Sequence, residues 1–299
     1  MSGKQEHLRA GIDIGGTAIK LAAVLGDCEP IYRSSDAYIR PSREALGRRL
    51  QTSWRALLQE AGAAAEAEME VGVCVAGPVG PEGVLEAAAN LPAMVGVPIG
   101  PWAQGVLGLA RPPFVLTDAL AAALGEYRAN PLRGRVLYLS LGAGVGGIVL
   151  DDGRPLLITR GTSGHFGHID VSGGQRDAPS TPAAGRGALE AYVGAGALRQ
   201  AGVDLDTPAG LGHPAMAAAL SALACGLRIL LALYRPAHIL LLGGVGLWLQ
   251  PLLPQLEAQV RDGLTMAAPA HFTLACGRVG YYAAALGAAV AAHRECGGA

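Results

Sequence analysis

The sequence predicts an α/β protein built from two related domains. Three observations carry that expectation. The chain has 299 residues, enough for two domains or one large one with ample core. Apolar strand-like runs alternate with helical patterns, and 44 glycines suit many tight strand-to-helix turns. GIDIGGTAIKLAAV near the start and LSLGAGVGGIVL near the middle share one grammar of strand, glycine turn, strand. That is a weak internal repeat, and it suggests two domains that each open with the same unit.

The elements follow in order. LRAGIDIGGTAIKLAAVLG reads as a β-hairpin interrupted by glycines. Ser42 to Ala61 carries Leu46, Leu50, Trp54, Leu57 and Leu58 at helical spacing, an amphipathic helix. VGVCVAG is a strand, PVGPEG a loop, and GVLEAAANLP a short run after it. FVLT is a strand that passes at once into the helix DALAAALGEYRA, with Asp118 at or near the helix N-terminus. VLYLSLGAGVGGIVLDDGRPL repeats the opening grammar and adds a DDG hairpin turn. Ser172 to Gly187, rich in Gly, Pro, Ser and Ala, reads as a loop, and ALEAYVGAGALRQ starts a helix. HILLLGGVG is a buried strand meeting a Gly-Gly turn before a helix, and YYAAALGAAVAAHREC is a closing helix with small residues on one face. The expected domains are residues 1–118 and 119–280, with helix 281–299 crossing back to the first. The joint itself falls between Asp118 and Arg135.

Composition excludes several classes. With 23 basic and 24 acidic residues the net charge is −1, and no basic block offers to neutralise nucleic-acid phosphates. Lysine occurs only at Lys4 and Lys20. The five cysteines are scattered without a CxxC pair, and Cys74 and Cys225 lie in apolar runs, so free buried thiols in a reducing, cytoplasmic setting are expected. The polar start MSGKQEHLRA has no signal-peptide pattern. AMAAALSALACGLRILLALY, Ala215 to Tyr234, is long and apolar, but Arg228 within it and its many alanines predict a buried core helix rather than a membrane span.

Four stretches carry chemistry. In DIGGT, Asp13 to Thr17, glycines leave backbone N–H groups open to phosphate oxygens, and the adjacent carboxylate suits Mg²⁺, directly or through water. A hairpin turn that merely needs glycine accounts for the same residues. LGAGVGG, Leu141 to Gly147, is a second such loop, and two at equivalent places of a half-repeat mean more than either alone. LLLGGVG, Leu240 to Gly246, could pack a glycine turn on a flat adenine or ribose. Asp118 can accept a hydroxyl proton as that oxygen attacks phosphorus, although an N-cap role explains an aspartate at this place at least as well. GHFGHIDVSGG, Gly164 to Gly174, sets two histidines three residues apart and reads as half a metal site, a substrate pocket or plain loop.

Taken in order, DIGGTAIK, VAGPVGPEG…NLP, TDALAAALGE, LSLGAGVGG, GHFGHIDV, GALEAYVG, LLLGGVG and YYAAALGAAVAA resemble the ROK family of sugar kinases and repressors over nearly the whole chain. The resemblance implies a two-domain actin-like (ribonuclease H-like) ATPase fold with an interdomain cleft, and ATP-dependent phosphorylation of a hexose or related carbohydrate. It implies that Asp13 helps to hold Mg²⁺, and that Gly15, Gly16 and Thr17 clamp the ATP phosphates together with Gly142, Ala143, Gly144 and Gly146. It places Gly243 and Gly244 by the adenosine and makes Asp118 the general base. Sugar hydroxyls would meet residues around Gly77, Asn90, Thr117, His165, His168 and Glu190. Each buried hydroxyl needs a partner, which is why polar groups cluster there. A homodimer is the expected assembly on the same ground.

The chain departs from the family pattern in three places. Thr117 stands where the family has Asn, which removes an amide's fixed donor and acceptor. His165 stands where the family has a glutamate that accepts sugar hydroxyls, so the recognised hydroxyl pattern should change. The family's CxCGxxGCxE run is TPAAGRGALE here, with Thr181, Ala183 and Ala188 at the cysteine positions. Those residues cannot ligate zinc, and His168 alone is no tetrahedral site, so no structural zinc is expected and the loop must be packed by other means or be mobile. His168 and, more weakly, His165 then read as pocket residues. A sugar or nucleotide sensor without catalysis is the competing function. A repressor is disfavoured because about ten residues precede the first strand. A nucleotide hydrolase without a sugar acceptor is disfavoured by the NLP, GHFGH and GALEAYVG elements.

Overall fold

The computed structural model describes residues 8–26, 28–62, 69–158, 161–264 and 271–296. The polar start, Lys4 included, and the last three residues of the closing helix segment lie outside the described residues. The chain divides into two compact units, residues 1–130 with 282–299, and residues 131–281.

The first unit opens with β1 (Leu8–Ile14) and β2 (Ile19–Leu25), an antiparallel hairpin across the glycine turn, followed by β3 (Ile31–Ser34). Helix α1 (Arg43–Glu60) is capped by Ser42, whose Oγ accepts from the Ala45 N–H. Next come β4 (Met69–Val75), α2 (Ile99–Leu107), β5 (Phe114–Thr117) and α3 (Asp118–Ala129). The sheet order is β3-β2-β1-β4-β5, with β1, β4 and β5 parallel. Side chains alternate across a strand. Ala10, Ile12 and Ile14 face one way, into a core with Leu46, Leu50, Trp54 and Leu57 of α1.

The second unit repeats the plan. It runs through β6 (Arg135–Leu141), β7 (Val145–Asp151) and β8 (Arg154–Pro155), then a small hairpin of β9 (Ser180–Thr181) and β10 (Gly185–Arg186). After these come α4 (Glu190–Val193), α5 (Ala195–Gln200), α6 (Ala215–Tyr234), β11 (His238–Leu242), α7 (Gly243–Trp248), α8 (Leu253–Asp262) and β12 (Thr273–Cys276). Its sheet order, β12-β11-β6-β7-β8, is that of the first sheet with β6 in the place of β1 and β7 in the place of β2. The hairpin that the internal repeat predicts is therefore present in both units. Helix α6 is long and apolar enough to cross a membrane, but its Leu220, Leu223, Leu227, Leu230 and Leu231 fill the core of the second unit against Leu137, Leu139 and Leu241.

Two expectations need adjusting. ALEAYVGAGALRQ is not one helix: Gly194 is extended, at ψ 144°, and separates α4 from α5. Cys74 is buried, but Cys225 is only partly so. The first unit runs to Asn130, and within it α3 packs on the closing helix α9 (Ala283–Cys296). That contact is close because it is made by glycine and alanine. A Cβ on Gly125 would lie 2.0 Å from the Ala283 carbonyl oxygen, and one on Gly287 would lie 1.6 Å from that of Ala121. Gly11 and Gly72 admit α9 onto the sheet in the same way, with Cβ positions 1.8 and 2.1 Å from the carbonyl oxygens of Ala285 and Ala288.

Candidate active site

In the first unit the parallel strands β1, β4 and β5 end side by side, and the residues just beyond strand ends are where open α/β sheets bind ligands. Asp13 is the penultimate residue of β1, on the face that Gly11 opens towards α9. Lys20 lies directly across the hairpin, and its Nζ donates to Asp13 Oδ2 at 2.7 Å. Asp13 is buried, so this ion pair compensates a carboxylate that would otherwise lack solvent. Cys74 is the neighbour of Asp13 on β4 and is also buried; burial and the charges of Asp13 and Asp118 push its thiol well up, so it stays protonated.

Asp118 is the first residue of α3. The cap of this helix is Thr117, whose Oγ1 accepts from the Leu120 N–H at 3.4 Å. Asp118 is thereby released from the capping role that its local sequence suits. Its Oδ1 accepts from the Ala119 N–H at 2.8 Å. Burial first, and then the negative charge of Asp13, push its carboxyl up to about 6, against the opposing pull of the Ala119 N–H and the Lys20 ammonium. A carboxylate poised near neutral pH, beside a second carboxylate and one ammonium, is suited to taking a proton.

The loop Gly15–Thr17 is held from outside. Tyr38 is buried, its hydroxyl donates to the Gly15 carbonyl at 2.5 Å, and its N–H donates to the Thr17 carbonyl at 2.8 Å. Asn90 packs directly on the loop: a Cβ on Gly16 would lie 3.0 Å from Asn90 Nδ2. Gly77, just past β4, sits at φ 134°, where an L side chain is strained, and a Cβ there would lie 2.2 Å from the Ala87 carbonyl oxygen.

The second unit holds the other predicted residues. Gly142 leaves open space where a side chain would be, with nothing within 4 Å of a Cβ. Its N–H donates to the Gly144 carbonyl at 2.9 Å, and its own carbonyl accepts from the Ala195 N–H at 2.8 Å. Glu190 Oε2 accepts from the Val145 N–H at 2.9 Å. Gly243 starts α7 at φ 77° with its backbone against Leu141, so the LLLGGVG and LGAGVGG turns touch, and Gly244 faces open space. Phe166 is buried against Gly147 and Tyr234, while His165 and His168 on either side of it are exposed, their rings stacked with centroids 5.2 Å apart.

The segment that carries zinc cysteines in the family pattern is tied by hydrogen bonds. Asp170 Oδ1 accepts from the N–H and hydroxyl of Ser172 at 2.8 and 2.7 Å. Val171 donates to the Gly187 carbonyl at 2.9 Å and Gly187 to that of Pro179 at 2.8 Å. Thr181 Oγ1 accepts from the Ala184 N–H at 3.1 Å, and Ala188 is buried. Among the described residues there is no group of three or more His, Cys, Asp or Glu side chains placed to hold a metal ion.

The structure thus gathers Asp13, Gly15, Gly16, Thr17, Asn90 and Asp118 within the first unit, and Gly142, Ala143, Gly144, Gly146, His165, His168, Glu190, Gly243 and Gly244 within the second. Two residues that sequence reasoning passed over are Lys20 and Tyr38. Lys20 had a signal: in a hairpin turning at Gly15–Gly16 it is the residue opposite Asp13. Tyr38 had none, because its bonds to the loop span more than twenty residues of an irregular segment.

Known proteins give an independent reading. An N-acetylmannosamine kinase of Citrobacter koseri is 31% identical over 200 residues, 61% of this chain and 63% of that protein. The chain spans less than two thirds of the length of the curated relatives it matches in this way. The crystal structure of a ROK hexokinase from Thermus thermophilus superposes with a TM-score of 0.75 at 27% identity, covering 97% of this chain and 99% of that one. A ROK family glucokinase from Streptomyces griseus, in complex with glucose and AMPPNP, superposes with a TM-score of 0.71 at 25% identity over 96% and 99% of the two chains. The model of the ROK family matches residues 9–295. With nearly its whole length covered by that match, the chain belongs to the ROK family.

Proposed function

We propose that this protein phosphorylates a sugar hydroxyl with ATP, with Asp118 as general base. The observation that carries the reading is the Asp118 carboxyl at the start of α3, raised to about 6 beside the Asp13–Lys20 pair. At neutral pH it is mostly ionised, yet basic enough to take the hydroxyl proton. The sugar oxygen then bonds to the γ-phosphorus, the bond to the bridging oxygen breaks, and ADP leaves. The relatives support a sugar as acceptor, since they are named for N-acetylmannosamine, hexose and glucose phosphorylation, and one was crystallised with an ATP analogue.

Two carboxylates that feel each other's charge, with a single ammonium between them in the balance, leave the site net negative, which suits the magnesium that travels with ATP. That cation supplies neutralisation of phosphate charge, and Asp13 is the residue assigned to hold it, through water. Gly15, Gly16, Thr17, Gly142, Ala143, Gly144 and Gly146 are assigned to the phosphates, with the N–H groups of Gly15 and Gly142 bracing their own loops through the Ala18 and Gly144 carbonyls, and Gly243 and Gly244 are assigned to the adenosine. Gly77, Asn90, Thr117, His165, His168 and Glu190 are assigned to the acceptor. Thr117 brings less than its formula suggests, because its hydroxyl oxygen already caps α3.

The test is ADP release from MgATP across glucose, mannose, N-acetylglucosamine and N-acetylmannosamine, with Asp118→Asn as control. Turnover with one sugar that the variant abolishes supports the proposal. Thermal stabilisation by a sugar with no ADP release from any of them refutes it in favour of a sensor.

A further inference from the structure

We propose that Glu190 is a positioning residue for the second glycine loop. One of its carboxylate oxygens holds the loop in its phosphate-binding shape, and the other is left for a sugar hydroxyl. The inference rests on the kinase reading and adds to it a physical link between nucleotide and acceptor.

Glu190 was singled out for sugar binding, yet the contact it makes is with the glycine loop. Its Oε2 accepts from the Val145 N–H at 2.9 Å across 45 residues of sequence. Gly144 leaves the room for that contact: a Cβ there would lie 2.6 Å from the same oxygen. The backbone that carries Glu190 is fixed. Leu189 is fully buried, donates its N–H to the Ile169 carbonyl at 2.9 Å, and packs on Gly226 of α6. The same segment holds the loop a second time, through the Ala195 N–H on the Gly142 carbonyl at 2.8 Å. Among the described residues, Oε1 of Glu190 makes no hydrogen bond.

A charged acceptor on a backbone N–H is among the stronger neutral-donor bonds, so its loss should loosen the loop measurably. A glutamine keeps an oxygen that can accept from Val145 but loses the charge offered to the acceptor. An aspartate keeps the charge but is one methylene too short to reach. The two variants therefore separate a loop role from a sugar role.

The experiment measures the affinity of full-length protein for Mg-AMPPNP by calorimetry, and amide exchange at Val145 by mass spectrometry. Glu190→Asp and Gly144→Ala should each weaken AMPPNP about 10-fold, the loss expected for one charge-assisted hydrogen bond, and should speed exchange at Val145. Glu190→Gln should stay within about 3-fold of the parent and protect Val145 nearly as well. Should Gly144→Ala fail to fold, the Gln and Asp pair decides alone. Equal AMPPNP affinity in Glu190→Gln and Glu190→Asp, whether both match the parent or both are weak, overturns the positioning role while leaving the kinase reading standing. A parent protein that binds no AMPPNP overturns both together.

Discussion

Replacing Asp118 by Asn removes one negative charge while keeping the oxygen that accepts from the Ala119 N–H. The carboxyl sits at about 6 in the folded chain against an ordinary 3.8, raised by burial and by the Asp13 charge. Between those two values the folded state binds more protons than the unfolded state, so Asp118 costs the protein stability as pH rises through about 6, and costs almost nothing below 3.8. Such a rise of the carboxyl corresponds to a full cost of about 3 kcal/mol, an upper value because the residue is partly open to solvent. The stability gained by Asp118→Asn over the parent should therefore grow by about 2 kcal/mol between pH 4 and pH 8, most of it below pH 6. In a unit of this size that is on the order of 5 °C in melting temperature. Thermal unfolding of parent and variant, side by side in one low-salt buffer series, reads it directly. Any fixed difference in packing cancels, since only the growth with pH counts. A gain that stays flat with pH, or falls as pH rises, would falsify the poised-carboxylate account. The same variant should lose turnover, so a protein that becomes more stable as it becomes inactive is the expected signature of a strained catalytic group.

Two other changes test the surroundings. Lys20→Met leaves buried Asp13 without its partner and should destabilise the first unit by about 3 kcal/mol. Because Lys20 also pulls the Asp118 carboxyl down, the pH at which turnover is half-maximal should move up from about 6; an unmoved midpoint refutes the coupling. Gly287→Ala drives a Cβ to 1.6 Å from the Ala121 carbonyl oxygen and should cost more than about 3 kcal/mol or prevent folding of the first unit. Gly105→Ala in α2 has nothing within 4 Å and should be neutral or stabilising by up to about 1 kcal/mol; equal effects of the two in denaturant unfolding would show that the α3–α9 contact is not as tight as described.

The sequence by itself determined what depends on neighbours along the chain. Period-2 and period-3.6 patterns placed the hairpin Leu8–Leu25, helix Arg43–Glu60, strand Phe114–Thr117 and the core helix Ala215–Tyr234, because burying an apolar face needs only the local repeat to be right. The glycine turns after β1, β6 and β11 were legible for the same reason, and the repeated hairpin announced two units of like topology. Only the tertiary structure decided which polar groups meet. It gave the cap of α3 to Thr117 and left Asp118 beside Asp13, a choice that two adjacent oxygens in one loop could make either way. It brought Tyr38 onto Gly15 and Glu190 onto Val145, contacts set by how separate segments dock rather than by any periodicity. It also set α3 against α9, because glycines at 125 and 287, 162 residues apart in sequence, let two helix backbones touch. Such pairings are enforced by the shape of the packed core, which no local pattern records.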